Sequence, residues 1–308
     1  GVSALPVTLD PEFAPGQESV EVILNLFEPV YGYEAALDPD GLRSATELAK
    51  GDAGMLPAIV ERTEISADNL TYTWHLRKGV VSCAGNELTA HDLYWTIERS
   101  FGVAIVGAFV NGIAKLPSMD AVKLIDDHTL ELTISDLNPM FKRMISYPTI
   151  SPVDATYVSQ FITDDDPWAT EWMSRNNMGF GPYCVEEFTP GSQVVLTANP
   201  NYWRGAPYFT EVVYREIPDS SQRLALLKSG DIHIAENLTS RELASIKPDE
   251  GKTINAIKNQ FVFAAMNTLD GPTADRRVRQ ALQYAIDQQR IVDVVYGGSA
   301  APLALYVP

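Results

Sequence analysis

The stretch that decides the fold is residues 70–93, LTYTWHLRKGVVSCAGNELTAHDL. Its first half alternates apolar and polar side chains, which is typical of a strand with one buried face. A turn sequence follows at 84–86. Thr89 then occupies the position of a helix N-cap, with Asp92 three residues later in the first turn. Residues 70–93 therefore predict a strand, a turn and a capped helix, in that order.

Strand and helix patterns continue to alternate along the rest of the chain. Paired strand patterns predict hairpins over 122–134 and 183–198, and a further strand covers 211–217. A helix capped by Asp219 is predicted to turn its leucines inward, and another helix follows Pro272. The leucines are Leu224 and Leu227, and the apolar stripe of the last helix is Val278, Ala281, Leu282, Ala285 and Ile286. Because there is no strict strand–helix–strand repeat, the class is α/β or α+β.

Length and composition limit the classes of protein that fit. The 308 residues are enough for about two or three domains, and 45% apolar with 20% charged residues indicates a substantial core. A net charge of −17 argues against a nucleic-acid partner and against docking on an anionic membrane. No stretch approaches the ~20 apolar residues that span a bilayer. The first residues lack the pattern of a signal peptide, which fits a mature secreted protein or a cytosolic one.

The two cysteines, Cys83 and Cys184, lie in no Cys-x-x-Cys pair and near no histidine, so a zinc site is not expected. One disulfide and two buried free thiols both remain open. None of the four histidines is followed two or four residues later by a potential ligand, so we expect no metal. The histidines are His75, His91, His128 and His233.

The sequence contains none of the common short catalytic or cofactor motifs. A nucleophile elbow and a phosphate-binding P-loop are both missing. The turn at Gly179–Gly181 has no third glycine and leads into a strand, so it does not fit a dinucleotide site. Asp164–Asp166 lacks the alternating spacing of a calcium loop. We therefore expect neither an enzyme nor a cofactor.

Three blocks of sequence, in order and spread over most of the chain, carry a family resemblance. The first comprises Tyr72–Gly79, Gly85–Asp92 and Glu98-Arg99; the second Gly179–Tyr183, Pro190-Gly191, Asn199–Trp203, Ile217–Asp219, Arg223 and Gly230–Ile232; the third Met266–Thr268, Val278–Leu282 and Ala285–Asp287. Together they resemble the extracytoplasmic solute-binding proteins of family 5, the peptide- and nickel-binding group that serves ABC importers.

The resemblance implies a fold and a domain organisation. The fold is an α/β, periplasmic-binding-protein-like clamp of two lobes, type II in its enlarged cluster C form. The main subdomain of the first lobe is expected over 1–45 and 175–260, its accessory subdomain over 46–174, and the start of the second lobe over 261–308. Similar chains are considerably longer, so most of the second lobe and the returning C-terminal segment are expected to be missing.

The resemblance also implies a function. Such a protein captures an oligopeptide or a related small polar solute between its lobes and delivers it to a membrane permease without chemistry. It is expected to be a monomer that needs no cofactor or metal. After signal-peptide removal it is periplasmic, or lipid-anchored on the outer face of the cytoplasmic membrane. The alternatives are an opine, a sugar, a nickel chelate or haem as ligand, a sensor or scaffold domain, and a hydrolase whose nucleophile lies elsewhere.

The resemblance finally nominates ligand-binding residues. In peptide-binding relatives the loop after a Leu-Asp-Pro motif pairs its backbone with the ligand, and Leu9-Asp10-Pro11 matches that motif. The residues nominated from this loop are Ala14, Pro15, Gly16 and Gln17, with Gly16 permitting close backbone approach. The strand entering the second lobe adds Gln260, Phe261 and Phe263, and Phe109 is a candidate aromatic wall. A plain surface turn and ordinary core phenylalanines are the alternative interpretations.

Overall fold

The computed structural model describes residues 1–13, 16–33, 55–247, 262–297 and 300–302. Contacts within the chain define two units. One is Val2–Glu216, and the other is Ile217–Pro308 together with Gly1. Each unit is described by itself below.

The unit Val2–Glu216 contains three antiparallel sheets and the helices that cover them. In chain order its elements are α1 Gln17–Leu26, β1 Tyr31–Tyr33, β2 Met55–Pro57, β3 Val60–Ile65, β4 Thr71–Leu76, α2 Ala90–Val103, α3 Val106–Ala114, β5 Val122–Asp126, β6 Thr129–Thr133, α4 Phe141–Ile145, α5 Ala155–Val158, α6 Thr170–Met173, β7 Tyr183–Thr189, β8 Gln193–Ala198 and β9 Glu211–Arg215. Short 3-10 helices occur at Met119–Ala121, Pro148–Ile150 and Ser159–Phe161. The sheets are β1-β2, β3-β4-β6-β5 and β7-β8-β9. Both predicted hairpins and the predicted strand near residue 70 are confirmed.

The four-stranded sheet and helix α2 enclose the first hydrophobic core. Trp74 on β4 lies opposite Leu130 on β6, and both are fully buried. Leu93 and Ile97 reach the same core from α2. The α2 cap is the predicted one, since the carboxylate of Asp92 accepts from the backbone N–H of Thr89 at 2.8 Å. The pattern quoted from residues 70–93 therefore folds locally as the sequence predicts.

A second core fixes α1 and the loop that precedes it. Leu9, Ile23 and Leu26 pack with Val194 and Leu196 of β8. The turn at Gly179–Gly181 lies against the end of α1, and a Cβ on Gly179 would overlap the carbonyl oxygen of Leu26. These glycines are needed for close packing, since the Gly181 N–H also donates to that oxygen at 3.1 Å.

Cys83 and Cys184 form a disulfide, which decides between the two alternatives left by the sequence. The bond joins residues 101 positions apart. Cys83 lies between β4 and α2 along the chain, and Cys184 is the second residue of β7. The bond therefore ties the segment between β4 and α2 to the three-stranded sheet.

No helix among the described residues is by itself long and apolar enough to cross a bilayer. The consecutive helices α2 and α3 reach that length and composition together, but the chain bends by 111° between them. Both helices carry fully buried residues of this unit.

The second unit is helical in its described part. Its helices are α7 Ser220–Ser229, α8 Ser240–Leu243, α9 Arg276–Ala285 and α10 Gln288–Val294, with a 3-10 turn at Pro272–Ala274. The predicted α7 begins at its Asp219 cap, whose side chain accepts from Gln222 N–H at 2.8 Å, and ends at Gly230 with φ of 85°. The predicted helix after Pro272 is also present as α9.

The interior of this unit differs from the sequence expectation. Leu224 and Leu227 are half-buried, whereas Arg223, directly before Leu224, is buried. Its guanidinium donates to four backbone carbonyl oxygens, those of Ile217, Pro218, Glu236 and Asn237. An arginine satisfied in this way can occupy an interior that the apolar pattern assigns to leucine. Leu282 on α9 and Ile286, which directly follows α9, belong to the predicted stripe but stay exposed.

Candidate functional site

Asp10 fixes the Leu9-Asp10-Pro11 loop against helix α2. Its carboxylate accepts from both terminal nitrogens of Arg99, at 2.9 and 2.5 Å, and both side chains are almost completely buried. Arg99 also donates through Nε to the Trp168 carbonyl at 3.0 Å. A two-pronged, charge-assisted pair of this kind holds its partners in one orientation. The loop therefore leaves the core in a fixed direction.

Glu12 joins the same loop to the start of α3. Its Oε2 accepts from the backbone N–H of Gly107 at 2.9 Å and of Ile105 at 3.2 Å. These are unpaired donors at a helix N-terminus, where a carboxylate is favoured. Glu12 is only 1% exposed, and this burial raises the pKa of its carboxyl above the ordinary 4.5 despite the backbone donors and Arg99.

Gly16 and Gln17 lie where the loop turns into helix α1. Gly16 is the N-cap of α1, and its carbonyl accepts from Ser19 and Val20 N–H at 3.2 and 3.1 Å. Its φ of −77° is one that any residue adopts. A glycine is therefore not demanded by the backbone angle, and the predicted role in close backbone approach stays a prediction. Gln17 is the first residue of α1.

Phe109 projects from α3 away from the core. It is 62% exposed, whereas its neighbour Val110 is fully buried. Ile105, one helical turn earlier, is 50% exposed, and Phe13 in the loop is 39% exposed. Glu12 thus links the predicted ligand loop to the helix that carries Phe109, and exposed apolar side chains occur on both.

Sequence reasoning missed Phe13, Ile105 and the link through Glu12. The spacing of four between Ile105 and Phe109 was a usable signal, because such residues share a helix face. The Glu12 contact joins residues 95 positions apart and leaves no local signature.

The described structure does not test the remaining nominated residues. Ala14, Pro15, Gln260 and Phe261 lie outside the described residues. Phe263 belongs to the second unit and is 56% exposed. Their roles stay predictions.

A separate open groove of about 1150 Å³ lies at the turn of the β5–β6 hairpin. None of the nominated residues lines it. Its lining is Glu61, Arg62, His75, Leu76, Arg77, Lys78, Asp126, Asp127, His128 and Thr129. Over the part of the chain that the structure describes, no three His, Cys, Asp or Glu residues are placed to hold a metal ion. His75 instead contacts Glu64 at 3.1 Å.

Another buried carboxylate, Glu28, anchors the Asn-Pro-Asn-Tyr-Trp segment at 199–203. Glu28 accepts from the Tyr202 hydroxyl at 2.6 Å and from Arg204 at 2.9 Å. The Trp203 ring lies between the guanidiniums of Arg77 and Arg204, with centroid distances of 4.4 and 4.3 Å. This segment therefore has a packing role in the first unit.

Solved proteins with the same fold define the class. The peptide-STSA complex of the ABC transporter-associated periplasmic binding protein DppA of Helicobacter pylori superposes with a TM-score of 0.76. The two sequences are 21% identical, and the match covers 96% of this chain and 57% of that one. The fold is thus that of the periplasmic binding proteins, as predicted.

The family follows from the sequence match. The family model for bacterial extracellular solute-binding proteins, family 5 (middle region), matches residues 54–308, and the chain belongs to that family. The resemblance stated from the sequence is confirmed.

Curated relatives carry names for different ligands. Heme-binding protein A of Haemophilus influenzae is 29% identical over 268 residues, covering 82% of this chain and 48% of the relative. The dipeptide-binding protein of Escherichia coli is 25% identical over 279 residues, covering 85% of this chain and 51% of the relative. The chain spans about half the length of these relatives.

Proposed function

We propose that this protein is the extracytoplasmic substrate-binding component of an ABC importer. It captures a short peptide or a related small polar solute and passes it unchanged to a membrane permease. The observation that carries the proposal is the start of the loop, residues 10–13, which two buried carboxylates, Asp10 and Glu12, hold against α2 and α3. Membership of a family of solute-binding proteins supports it.

A loop anchored at its start suits the capture of peptides with varied side chains. Main-chain groups recognise what all peptides share, much as an added strand pairs with a sheet. A loop whose start is already fixed loses less conformational freedom when the ligand binds. Residues 14–17 supply the backbone in this proposal, and Phe109 contacts the ligand from α3.

The disulfide supports an extracytoplasmic location. Disulfides form and persist in oxidising compartments such as the periplasm and are rare in the cytosol. The Cys83–Cys184 bond fits that setting, and so do the periplasmic relatives. The protein acts there as a monomer, either free or lipid-anchored beside its permease.

Haem is the second candidate ligand. It is favoured by one observation, the 29% identity to a relative named for haem binding. The peptide proposal is preferred because the four histidines, common ligands of haem iron, are not among the residues of the candidate site.

Native mass spectrometry of the full-length protein, purified without refolding, tests the proposal. A ladder of copurified peptide masses is the expected result. A single non-peptide mass would contradict the peptide assignment, and a Soret absorbance band would identify that mass as haem. Refolded protein is the control, since it should give the unliganded mass.

A further inference from the structure

Glu12 cannot touch a bound solute, yet it lies between the two segments proposed to do so. Its side chain is almost completely buried. The loop residues beyond it lead to Gly16, and α3 beyond its contact leads to Phe109. Any effect of Glu12 on solute binding must therefore act through the position of these segments.

The Glu12 contact is the side-chain cap of α3. The N-cap residue Ile105 makes no capping hydrogen bond with its own side chain. Glu12 supplies the acceptor instead, for the N–H groups of Ile105 and Gly107. Its other oxygen, Oε1, has no hydrogen-bond partner among the described residues.

Gly107 makes the contact tight. A Cβ at this position would overlap the carbonyl oxygen of Ser100 and would lie 2.6 Å from Glu12 Oε1. The carboxylate therefore packs directly on the backbone of α3, with no side chain between them. A shorter or neutral apolar side chain at position 12 cannot reproduce both hydrogen bonds.

We propose that Glu12 is a positioning residue for solute binding, which holds residues 10–13 of the loop and the start of α3, with exposed Ile105 and Phe109, in one arrangement. This inference rests on the proposed function. It also assigns a chemical preference, because Phe13, Ile105 and Phe109 present apolar surface to the solute. An apolar group of the ligand is stabilised there by removal from water.

Calorimetric titration of the full-length protein with trialanine and with trileucine tests the role. The variants are Glu12→Ala, Glu12→Asp and Glu12→Gln, each measured at a temperature where circular dichroism shows a folded protein. Glu12→Ala is expected to weaken affinity about tenfold, as loss of a charge-assisted contact pair does. Glu12→Asp, which keeps the charge but is one methylene shorter, is also expected to weaken it. Glu12→Gln keeps an acceptor oxygen and should stay within about threefold of wild type.

The matched control is Glu28→Ala, which removes another buried carboxylate of the same unit. It should lower the melting temperature and leave affinity within about twofold. Hydrogen exchange of the unliganded protein adds a readout that needs no ligand. In Glu12→Ala, amide exchange should rise together at residues 10–13 and 105–109.

The outcomes separate this inference from the proposed function. Wild type that binds neither peptide refutes the proposed function, and the role of Glu12 with it. If Glu12→Ala and Glu12→Asp bind peptide as tightly as wild type, Glu12 is only a structural cap of α3, and the inference is refuted. An equal loss of affinity in Glu28→Ala would assign the effect to general destabilisation and would also overturn the inference.

Discussion

The carboxylate of Asp10 pairs with the guanidinium of Arg99, 89 residues further along the chain, and the pair is almost entirely shielded from water. Asp10 belongs to the loop that leads to the proposed ligand site, and Arg99 belongs to α2. The pair thus fixes the start of the loop to the helix that packs on the four-stranded sheet. The same carboxylate accepts from Glu12 N–H at 3.0 Å, so the two acidic residues of the loop are ordered together.

Removing one member of this pair is expected to be strongly destabilising. Arg99→Ala leaves the Asp10 carboxylate buried without its cation, which costs about 3–5 kcal/mol of unfolding free energy. Replacing both residues by apolar ones of similar volume, as in Asp10→Leu with Arg99→Met, should cost less than the single change. Urea unfolding measures both. Arg62→Ala, at an exposed pair with Glu64, is the control and should leave the midpoint unchanged. An Arg99→Ala variant as stable as wild type would contradict the account.

The disulfide is expected to stabilise the first unit substantially. Closing a loop between residues 101 positions apart restricts the unfolded chain, and loss of such a bond costs about 2–5 kcal/mol. Wild type should therefore melt at a lower temperature in reducing buffer. The double variant Cys83→Ser with Cys184→Ser should melt at that lower temperature with and without reductant. Equal melting temperatures for oxidised and reduced wild type would show that the bond contributes nothing.

The pKa shift of Glu28 predicts how the free energy of unfolding changes with pH. Burial is the main cause that raises the pKa of Glu28 above its ordinary 4.5, against the lowering by Tyr202 and Arg204. The folded protein therefore holds this proton more tightly than the unfolded chain. The resulting stability is fully present below the unfolded pKa and is lost as pH rises through the folded value.

The Glu28→Gln variant is expected to lack the fall in stability that Glu28 causes as pH rises. Between about pH 4.5 and neutrality, its unfolding free energy should fall less with rising pH than that of wild type. Urea unfolding at a series of pH values measures the difference. The control is Glu64→Gln, because Arg62 lowers the pKa of this exposed carboxyl and its loss cannot flatten the curve in the same way. Parallel curves for Glu28→Gln and wild type would contradict the assigned direction.

Phe109 is expected to affect binding without affecting stability. Because its ring is 62% exposed, Phe109→Ala should leave the melting temperature within about 1 °C of wild type. If the ring contacts the ligand, peptide affinity of the full-length protein should fall about tenfold. Val110→Ala, at the buried neighbour, should do the reverse and lower stability alone. Unchanged affinity in Phe109→Ala would remove this residue from the site.

Local patterns predicted the elements of this fold, whereas long-range contacts stayed invisible to them. The β4 strand and the capped α2 follow from side-chain periodicity and from the Thr89–Asp92 spacing, which act over a few residues. The Asp10–Arg99 pair and the Cys83–Cys184 bond depend on how distant segments pack, so the sequence left them undetermined.

Helix α7 also shows that local patterns predict an element but not the contacts that its side chains make. Its capping residues were predictable from the sequence. Leu224 and Leu227, however, are only half-buried, because Arg223 fills the interior and donates to backbone carbonyls before and after the helix along the chain. The pattern of apolar and polar residues cannot anticipate an arginine whose donors are satisfied by backbone carbonyls before and after its helix. In the candidate site, the motif pointed to the loop, but the Glu12 link to α3 required the structure.

Hydrogen exchange of the full-length protein with and without trialanine tests the central claim most directly. The account predicts that the ligand slows amide exchange in residues 11–20 and 105–112 and leaves the hairpin at 122–134 unchanged. Protection confined to other segments, with the loop after Pro11 exchanging equally in both states, would contradict it.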